Sequence, residues 1–222
     1  MIHPTPEMQF QGCIRIAKKS NANVKLSVEE KGPKLKPLYH LSDGYDSDML
    51  RCFNSVGNRV ALLVEVIPTS SVLKGELFEI DYHLTAVEET NKVTDSDDHD
   101  CRPCSDDELV HYYCNSDFLV RGTIESINEN RALARSDITI KVDSNIRESS
   151  KNSLSDHSKE RPVILHRPLK CHSKSPGSST EFLFMGQWIL GNPVMKCAPK
   201  WSQWKHVRLR AIHAGSAQCR LG

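Results

Sequence analysis

Eight cysteines constrain the fold of this 222-residue chain more than any other feature of its sequence. They are widely spaced, and only Cys101 and Cys104 form a close CxxC pair. An even number of cysteines at wide separations is typical of the disulfide framework of a secreted protein. Because four bonds among eight cysteines allow roughly a hundred pairings, the spacing alone does not choose among them.

The CRPC segment at 101–104 also permits two other interpretations. Its spacing is that of half a zinc site, and His99, His111 and His172 could add ligands. However, structural zinc sites usually take their ligands from two close pairs, and a second pair is absent here. A redox CxxC belongs at a strand-to-helix turn, whereas the preceding residues, TNKVTDSDDHD, read as a polar linker. The disulfide framework is therefore the favoured interpretation.

Composition and motifs narrow the function further. The formal net charge is +1, so the total charge does not point to a nucleic-acid partner. No apolar run is long enough to span a membrane, and the N-terminus as written shows no secretory signal. His40, Asp43 and Ser47 lie close in sequence, but the chain has no nucleophile elbow, HExxH motif, phosphate loop or dinucleotide fingerprint. We predict a protein that is not an enzyme and has no cofactor.

The first part of the chain has the pattern of a β-sandwich. Apolar and polar residues alternate over 24–28 and again over 78–84, as they do in half-buried strands. Residues 60–67, VALLVEVI, are apolar on both faces and suggest an inner strand. The segments 31–37 and 42–48 are rich in Gly, Pro and Asp, which predicts turns.

The rest of the chain is predicted to form a second domain. We expect residues 1–87 to form the first domain, 88–100 an acidic linker, and 101–222 the second domain. Ser105 and Glu108 form a capping box, so a helix should begin near Asp106. Strands are expected in FLVRGTIESI, SDITIKV and EFLFMGQWIL. A polar, mobile loop is expected near 147–161.

The chain closes with an amphipathic helix in KWSQWKHVRLRAIH. Trp201, Trp204, Val207 and either Ala211 or Ile212 recur at helical spacing and predict the face that packs on the rest of the domain. The outer face is expected to be basic. A basic face could meet heparan sulfate or an acidic receptor patch, although a solvated helix would have the same composition. The candidate contact residues are Lys200, Lys205, Arg208 and Arg210.

An acidic turn in the first domain is a further candidate site. Asp43, Asp46 and Asp48 supply three carboxylates within six residues, and carboxylates are calcium ligands. Asp and Gly are also the residues that favour turns. The alternatives for this segment are thus a calcium site and an ordinary turn.

The second domain resembles the netrin-like (NTR) domain of the meteorin family. The resemblance rests on CRPCSDDELVHYYCNSDFLVRGTI, on EFLFMGQWILGNPVMKCAPKW and on the last cysteine. The first domain is similar, more loosely, to the CUB-like domain of that family, through CIRIA, NVKLSVEEKG, RCF and ELFEIDYHL. The resemblance implies a mainly β protein, with a CUB-like β-sandwich followed by an NTR (OB-like) β-barrel that carries a helix at each end.

The resemblance also implies a disulfide pairing and a truncated start. Members of the family begin with a signal peptide and an earlier cysteine pair, so we expect this sequence to be N-terminally incomplete. The family's pairing joins Cys13 to Cys52, Cys101 to Cys171, Cys104 to Cys197 and Cys114 to Cys219.

Family resemblance further implies a secreted, extracellular signal of neurotrophic, glial-differentiation or metabolic hormone-like type that binds a cell-surface receptor. The alternative is an extracellular NTR-type inhibitor or a matrix- and heparin-binding module. Metalloproteinase inhibition by the NTR fold needs a cysteine as the first residue, whereas Cys101 is internal. An intracellular zinc protein is the third hypothesis.

Overall fold

The computed structural model describes residues 9–29, 34–40, 49–56, 58–67, 77–86, 103–130, 135–148, 154, 162–168 and 179–221. The chain divides into two compact units, Met1–Thr94 and Asp95–Gly222. Strands make up most of the described residues, and the two described helices both belong to the second unit. The mainly β class expected from the sequence is confirmed. The predicted acidic linker, 88–100, lies outside the described residues.

Two three-stranded sheets form the described part of the first unit. One has the order β4-β1-β6 and the other the order β3-β2-β5, and all the pairs are antiparallel. The six strands are β1 (Phe10–Ile16), β2 (Val24–Glu29), β3 (Leu35–His40), β4 (Arg51–Asn54), β5 (Leu62–Val66) and β6 (Ile80–Ala86).

The two sheets share one hydrophobic core, which makes this unit a sandwich. Ile14 and Ile16 of β1 pack in the same cluster as Val24, Leu26 and Val28 of β2. The three β2 side chains are almost completely buried, so the strand predicted from the alternation over 24–28 is confirmed. Burial on one face and polarity on the other is the pattern that a sandwich requires.

A disulfide and a close ring contact tie β1 to β4. Cys13 and Cys52 are directly opposite each other in the β1–β4 ladder and form a disulfide, with their Cα atoms 4.1 Å apart. One residue earlier, a Cβ atom on Gly12 would lie 2.5 Å from two carbons of the Phe53 ring. Glycine at position 12 therefore lets the Phe53 ring lie flat against the strand.

Two predictions for the first unit are wrong. Residues 60–67 do not form a buried inner strand, because four of the five β5 residues are exposed and β5 lies at the edge of its sheet among the described strands. The predicted turn at 31–37 overlaps β3, which begins at Leu35 and includes Pro37. Proline can occur in β3 because β3, like β5, is an edge strand among the described strands. In an edge strand the missing N–H of a proline costs little stability.

The second unit is a closed five-stranded barrel with a helix before it and a helix after it. The strand order is β10-β11-β9-β8-β7, and the one parallel pair, β9 with β11, completes the closure. This confirms the barrel with flanking helices. Its elements are α1 (Asp106–Asn115), β7 (Phe118–Asn130), β8 (Arg135–Glu148), β9 (Val163–Pro168), β10 (Glu181–Ile189), β11 (Asn192–Cys197) and α2 (Trp201–Ala214).

Alternation along the barrel strands builds two separate cores. In β10, Phe182 and Phe184 belong to the cluster that fills the barrel, whereas Leu183 and Met185 belong to the cluster beneath the two helices. Successive side chains of a strand point to opposite faces, so a strand covered on both sides is apolar throughout. The run EFLFM is such a strand.

The start of α1 agrees with the sequence, and the start of the polar loop does not. Ser105 Oγ accepts a hydrogen bond from the Glu108 N–H, and Glu108 accepts one from the Ser105 N–H at 2.7 Å, so the predicted capping box is confirmed. The predicted loop at 147–161 begins later, because Arg147 and Glu148 belong to β8. Apart from Leu154 and Pro162, residues 149–162 lie outside the described part.

Candidate binding surface

The inner face of α2 is a structural anchor. Trp204 is 1% exposed, and its ring stacks on the Tyr113 ring of α1 with the centroids 4.5 Å apart. Val207 and Ala211 are buried beside it. Between the two residues that the sequence left open, Ala211 is therefore the buried one, and Ile212 is 48% exposed.

Trp201, also predicted to pack on the barrel, lies at the margin of this core. Its side chain is half-buried, and the Arg121 guanidinium of β7 lies 5.4 Å from the centroid of its ring. This cation–π contact joins the start of α2 to the barrel wall.

The four basic residues predicted as contacts do not form one cluster. Lys200 is the N-cap of α2, and Arg208 is half-buried, with its guanidinium donating to the Leu221 carbonyl at 3.4 Å. Arg210 forms an ion pair with Asp106 of α1. Lys205 is exposed and has no ion-pair partner among the residues described for the second unit. Residues advance by about 100° along a helix, so Lys205 and Arg210 project about 140° apart.

The structure instead brings together a mixed surface that the sequence reading missed. Lys205, Arg208, Leu209 and Ile212 are spaced i, i+3, i+4 and i+7 and form one stripe along α2, which we name the α2 stripe. Leu209 is 56% exposed and Ile212 is 48% exposed. The helix contains no aspartate or glutamate. The stripe thus places two uncovered apolar side chains beside two cations.

Two disulfides hold the ends of this helical layer. Cys104, just before α1, is bonded to Cys197 at the end of β11, and Cys114 in α1 is bonded to Cys219 beyond α2. With Cys13–Cys52, these are three of the four pairs that the resemblance implies. The fourth pair, Cys101 with Cys171, lies outside the described residues. A sulfur in a disulfide cannot serve as a thiolate ligand, so the Cys104–Cys197 bond argues against the zinc interpretation of the CxxC.

Arg147 of β8 completes the attachment of α1. Its guanidinium donates to the carbonyls of Tyr113 and Ser116, the latter at 2.9 Å, and lies 5.8 Å from the Tyr113 ring centroid. These carbonyls belong to the C-terminal end of α1, where a positive charge is favourable. Because Tyr113 also stacks on Trp204, Arg147 supports both helices.

A polar group on the barrel wall is the other feature that sequence reading missed. Asp137 of β8 and His166 of β9 are opposite neighbours, with His166 Nδ1 2.8 Å from Asp137 Oδ1, and Arg135 Nε lies 2.9 Å from the same oxygen. Burial raises the pKa of Asp137, but the hydrogen bond with His166 and the charge of Arg135 outweigh it and hold the pKa below its usual value.

Comparison with known proteins now adds an independent observation. Residues 103–211, which run from just before α1 to near the end of α2, match the family described as "Meteorin, C-terminal domain". The second unit therefore belongs to the meteorin C-terminal domain family. The recognition made from the cysteine-rich motifs is therefore confirmed.

Curated relatives agree with this assignment. A meteorin-like protein of Xenopus laevis is 35% identical over 121 residues, which cover 54% of this chain and 42% of the relative. Meteorin of Rattus norvegicus is 33% identical over 121 residues, covering 54% and 41% respectively. A meteorin-like protein of Danio rerio is 26% identical over 215 residues, covering 94% of this chain and 70% of the relative. The chain therefore spans about two fifths of the length of the first two relatives in these matches.

The other predicted sites fall on residues that the structure does not describe. Asp43, Asp46 and Asp48 lie outside the described residues, as do His99 and His172. Among the residues with described positions, no group of three or more His, Cys, Asp or Glu side chains is placed to hold a metal ion. No helix within those ranges is long and apolar enough to cross a membrane.

Proposed function

We propose that this chain is a secreted extracellular signalling factor that binds a cell-surface receptor through the α2 stripe. The observation that carries the proposal is the half exposure of Leu209 and Ile212 beside Lys205 and Arg208 on a helix without acidic residues. By family resemblance the signal is neurotrophic, glial-differentiating or metabolic and hormone-like.

The chemistry of the stripe suits a protein partner. A few side chains near the centre of an interface carry most of its binding energy, and the contacts around them exclude water. Leu209 and Ile212 would supply the apolar contact. Lys205 and Arg208 would attract a partner with an acidic patch and raise the rate of association. We therefore expect a receptor surface with an apolar pocket that has carboxylates at its rim.

Disulfides support both the compartment and the mechanism. Such bonds form and persist outside the cytosol, which is consistent with secretion. Cys104–Cys197 and Cys114–Cys219 also fix the helical layer to the barrel before any partner arrives. A preorganised surface loses less conformational entropy on binding, so more of the contact energy appears as affinity.

Binding to living cells tests the proposal. The secreted chain would be labelled fluorescently and titrated onto a panel of neural, glial and adipocyte cultures. We expect saturable binding on a responsive culture, and a loss of affinity of about tenfold or more when Leu209 and Ile212 are both changed to aspartate.

A matched control separates the α2 stripe from general apolar exposure. Ile146 of β8 and Ile164 of β9 are 39% and 46% exposed and lie on barrel strands, so Ile146→Asp/Ile164→Asp removes a similar apolar area and adds the same charge. Its binding should equal that of the unmodified chain. Saturable binding that is unchanged in the Leu209→Asp/Ile212→Asp variant, or that is absent from every culture, contradicts the proposal.

A heparin- or matrix-binding module is the second candidate function, because α2 has only cationic and neutral side chains. Affinity for sulfated glycans would come from cations that have no internal acidic partner. Lys205→Gln should therefore lower the salt concentration needed for elution from heparin more than Arg210→Gln does, since Arg210 already faces Asp106. Retention on heparin without saturable cell binding favours this alternative.

A further inference from the structure

The Cys13–Cys52 disulfide joins two residues that lie directly opposite each other in β1 and β4. The Ser55 N–H donates to the Phe10 carbonyl at 2.9 Å, so Phe10 and Ser55 form a hydrogen-bonded pair. In an antiparallel ladder such pairs alternate with pairs that exchange no hydrogen bond, in which the Cα atoms lie only about 4.5 Å apart. Cys13 and Cys52 are three positions along the ladder from Phe10 and Ser55, and they therefore form a pair without hydrogen bonds.

The strand pairing thus sets a short span for this bond. Relaxed disulfides join Cα atoms that are about 4.4 to 6.8 Å apart, most often about 5.5 to 6 Å. In Cys13–Cys52 the Cα atoms are 4.1 Å apart. In the two described disulfides of the second unit they are 6.3 Å and 5.5 Å apart, within the relaxed range. A disulfide held outside that range is more easily reduced, and Cys13–Cys52 is the one described bond in this position.

The location of the bond leaves one of its sulfurs open to a reductant. Ile14 of β1 and Phe53 of β4 belong to the core of the sandwich. Successive side chains of a strand point to opposite faces, so Cys13 and Cys52 lie on the face away from that core. Cys13 is 2% exposed, but Cys52 is partly exposed and belongs to a four-residue strand that pairs only with β1 among the described strands. Cys52 is therefore the sulfur that a nucleophile reaches.

We propose that Cys52 is a thiol–disulfide exchange site, at which a dithiol reduces Cys13–Cys52 before either described disulfide of the second unit. A thiolate of the dithiol attacks Cys52 Sγ, the S–S bond breaks, and Cys13 leaves as a thiolate that takes up a proton. The second thiol of the dithiol then attacks the mixed disulfide, and Cys52 leaves as a thiolate that is protonated in turn. In total the protein disulfide gains two electrons and two protons, and the dithiol is oxidised to a disulfide.

Reduction has a local effect. Without the disulfide, β4 is held to β1 by the ladder and to the core by Phe53. By the alternation of pairs, the Phe53 and Ser55 N–H groups donate to β1, so both amides report the pairing of β4. The second unit keeps its own two described disulfides and its helical layer. Exchange at Cys52 thus loosens one strand of the first unit and leaves the α2 stripe in place.

Equilibration of the oxidised chain with mixtures of reduced and oxidised dithiothreitol tests the proposal. At each mixture the free thiols are alkylated with one isotopic form of iodoacetamide, and the remaining cysteines are alkylated with a second form after full reduction. Peptide mass spectrometry then gives the reduced fraction of each bond. We expect Cys13–Cys52 to be half reduced at a ratio of reduced to oxidised dithiothreitol about tenfold lower than either described bond of the second unit requires, which corresponds to about 30 mV.

The Cys114–Cys219 bond is the control for access of the reagent. Both of its cysteines are partly exposed, whereas Cys13 is 2% exposed. If exposure alone controlled the rate of reduction, limiting dithiothreitol would reduce Cys114–Cys219 first. The strand geometry predicts the opposite order, with the thiols of Cys13 and Cys52 labelled first.

Amide exchange shows whether the bond controls β4. The Phe53 and Ser55 amides should exchange faster in the selectively reduced chain than in the oxidised chain, and Cys13→Ala/Cys52→Ala should exchange as the reduced chain does. The Trp204 amide, which is hydrogen-bonded within α2, should not change. Three results would overturn the proposal: reduction of the three described bonds together, reduction of another of them first, or unchanged exchange at Phe53 and Ser55 after reduction.

Discussion

Removal of the Cys114–Cys219 disulfide should destabilise the second unit strongly while leaving it able to fold. The bond closes a sequence separation of 105 residues, for which chain entropy alone predicts about 5 kcal/mol. The neighbouring Cys104–Cys197 bond already shortens that loop. With Cys104–Cys197 in place, the loop that Cys114–Cys219 closes runs through ten residues from Cys104 to Cys114 and 22 from Cys197 to Cys219, about 32 in all. Removal of the bond should therefore lower the free energy of unfolding by about 4 kcal/mol.

The distribution of tryptophan makes the assay specific to one unit. The chain has three tryptophans, Trp188, Trp201 and Trp204, and all of them lie in the second unit. Urea unfolding followed by tryptophan fluorescence therefore reports that unit. For a domain of this size the slope is about 1 to 3 kcal/mol per molar urea, so Cys114→Ala/Cys219→Ala should lower the midpoint by roughly 1.5 M or more.

The first unit supplies the matched control. Cys13–Cys52 closes a separation of 39 residues and should stabilise its own unit by about 4 kcal/mol as well. Cys13→Ala/Cys52→Ala should leave the tryptophan-monitored midpoint unchanged. Equal shifts for both double variants would refute the assignment of the transition to one unit. No shift for Cys114→Ala/Cys219→Ala would refute the loop-entropy reasoning.

Two further predictions use the same assay. Arg147→Ala removes the donor to the Tyr113 and Ser116 carbonyls and the contact with the Tyr113 ring, so it should lower the free energy of unfolding by about 2 to 4 kcal/mol. Arg147→Lys should recover only part of that loss. Equal stability of all three proteins would contradict the role of Arg147. The pKa of Asp137 is lower in the folded state than in the unfolded state, so the ionised Asp137 side chain stabilises the fold. This stabilisation is complete above the unfolded pKa of about 4 and is lost as the pH falls through the folded pKa. Asp137→Asn should therefore flatten the fall in stability between about pH 5 and pH 3, and identical pH profiles for the two proteins would exclude this contribution.

Local patterns in the sequence were sufficient wherever neighbouring residues determine the structure. The capping box of Ser105 and Glu108 places the start of α1 because its hydrogen bonds span three residues. The alternation over 24–28 predicts β2 because one face of a strand is buried. The apolar run EFLFM predicts a covered strand, although the sequence does not say that its two faces serve two different cores.

Predictions were wrong or incomplete where a distant segment decides the environment. An apolar strand is inner or edge according to what pairs with it, and in the described part of the chain VALLVEVI pairs only with β2. The polar group of Arg135, Asp137 and His166 forms because β8 pairs with β9. Nothing in the local sequence of either strand indicates that the two are neighbours. Helical spacing did indicate the buried face of α2. It did not show that Asp106, on another helix, already engages Arg210.

The sequence by itself determined the class of this protein: a mainly β chain with a helix at each end of its second domain, a disulfide framework, and motifs that carry the family resemblance. Those properties follow from composition, periodicity and spacing, which are local. The tertiary structure decided which apolar residues stay uncovered, namely Leu209 and Ile212 on the α2 stripe and Val64 and Val66 on β5. Exposure is a property of the surroundings, because the same side chain is buried or displayed according to what the rest of the chain brings beside it.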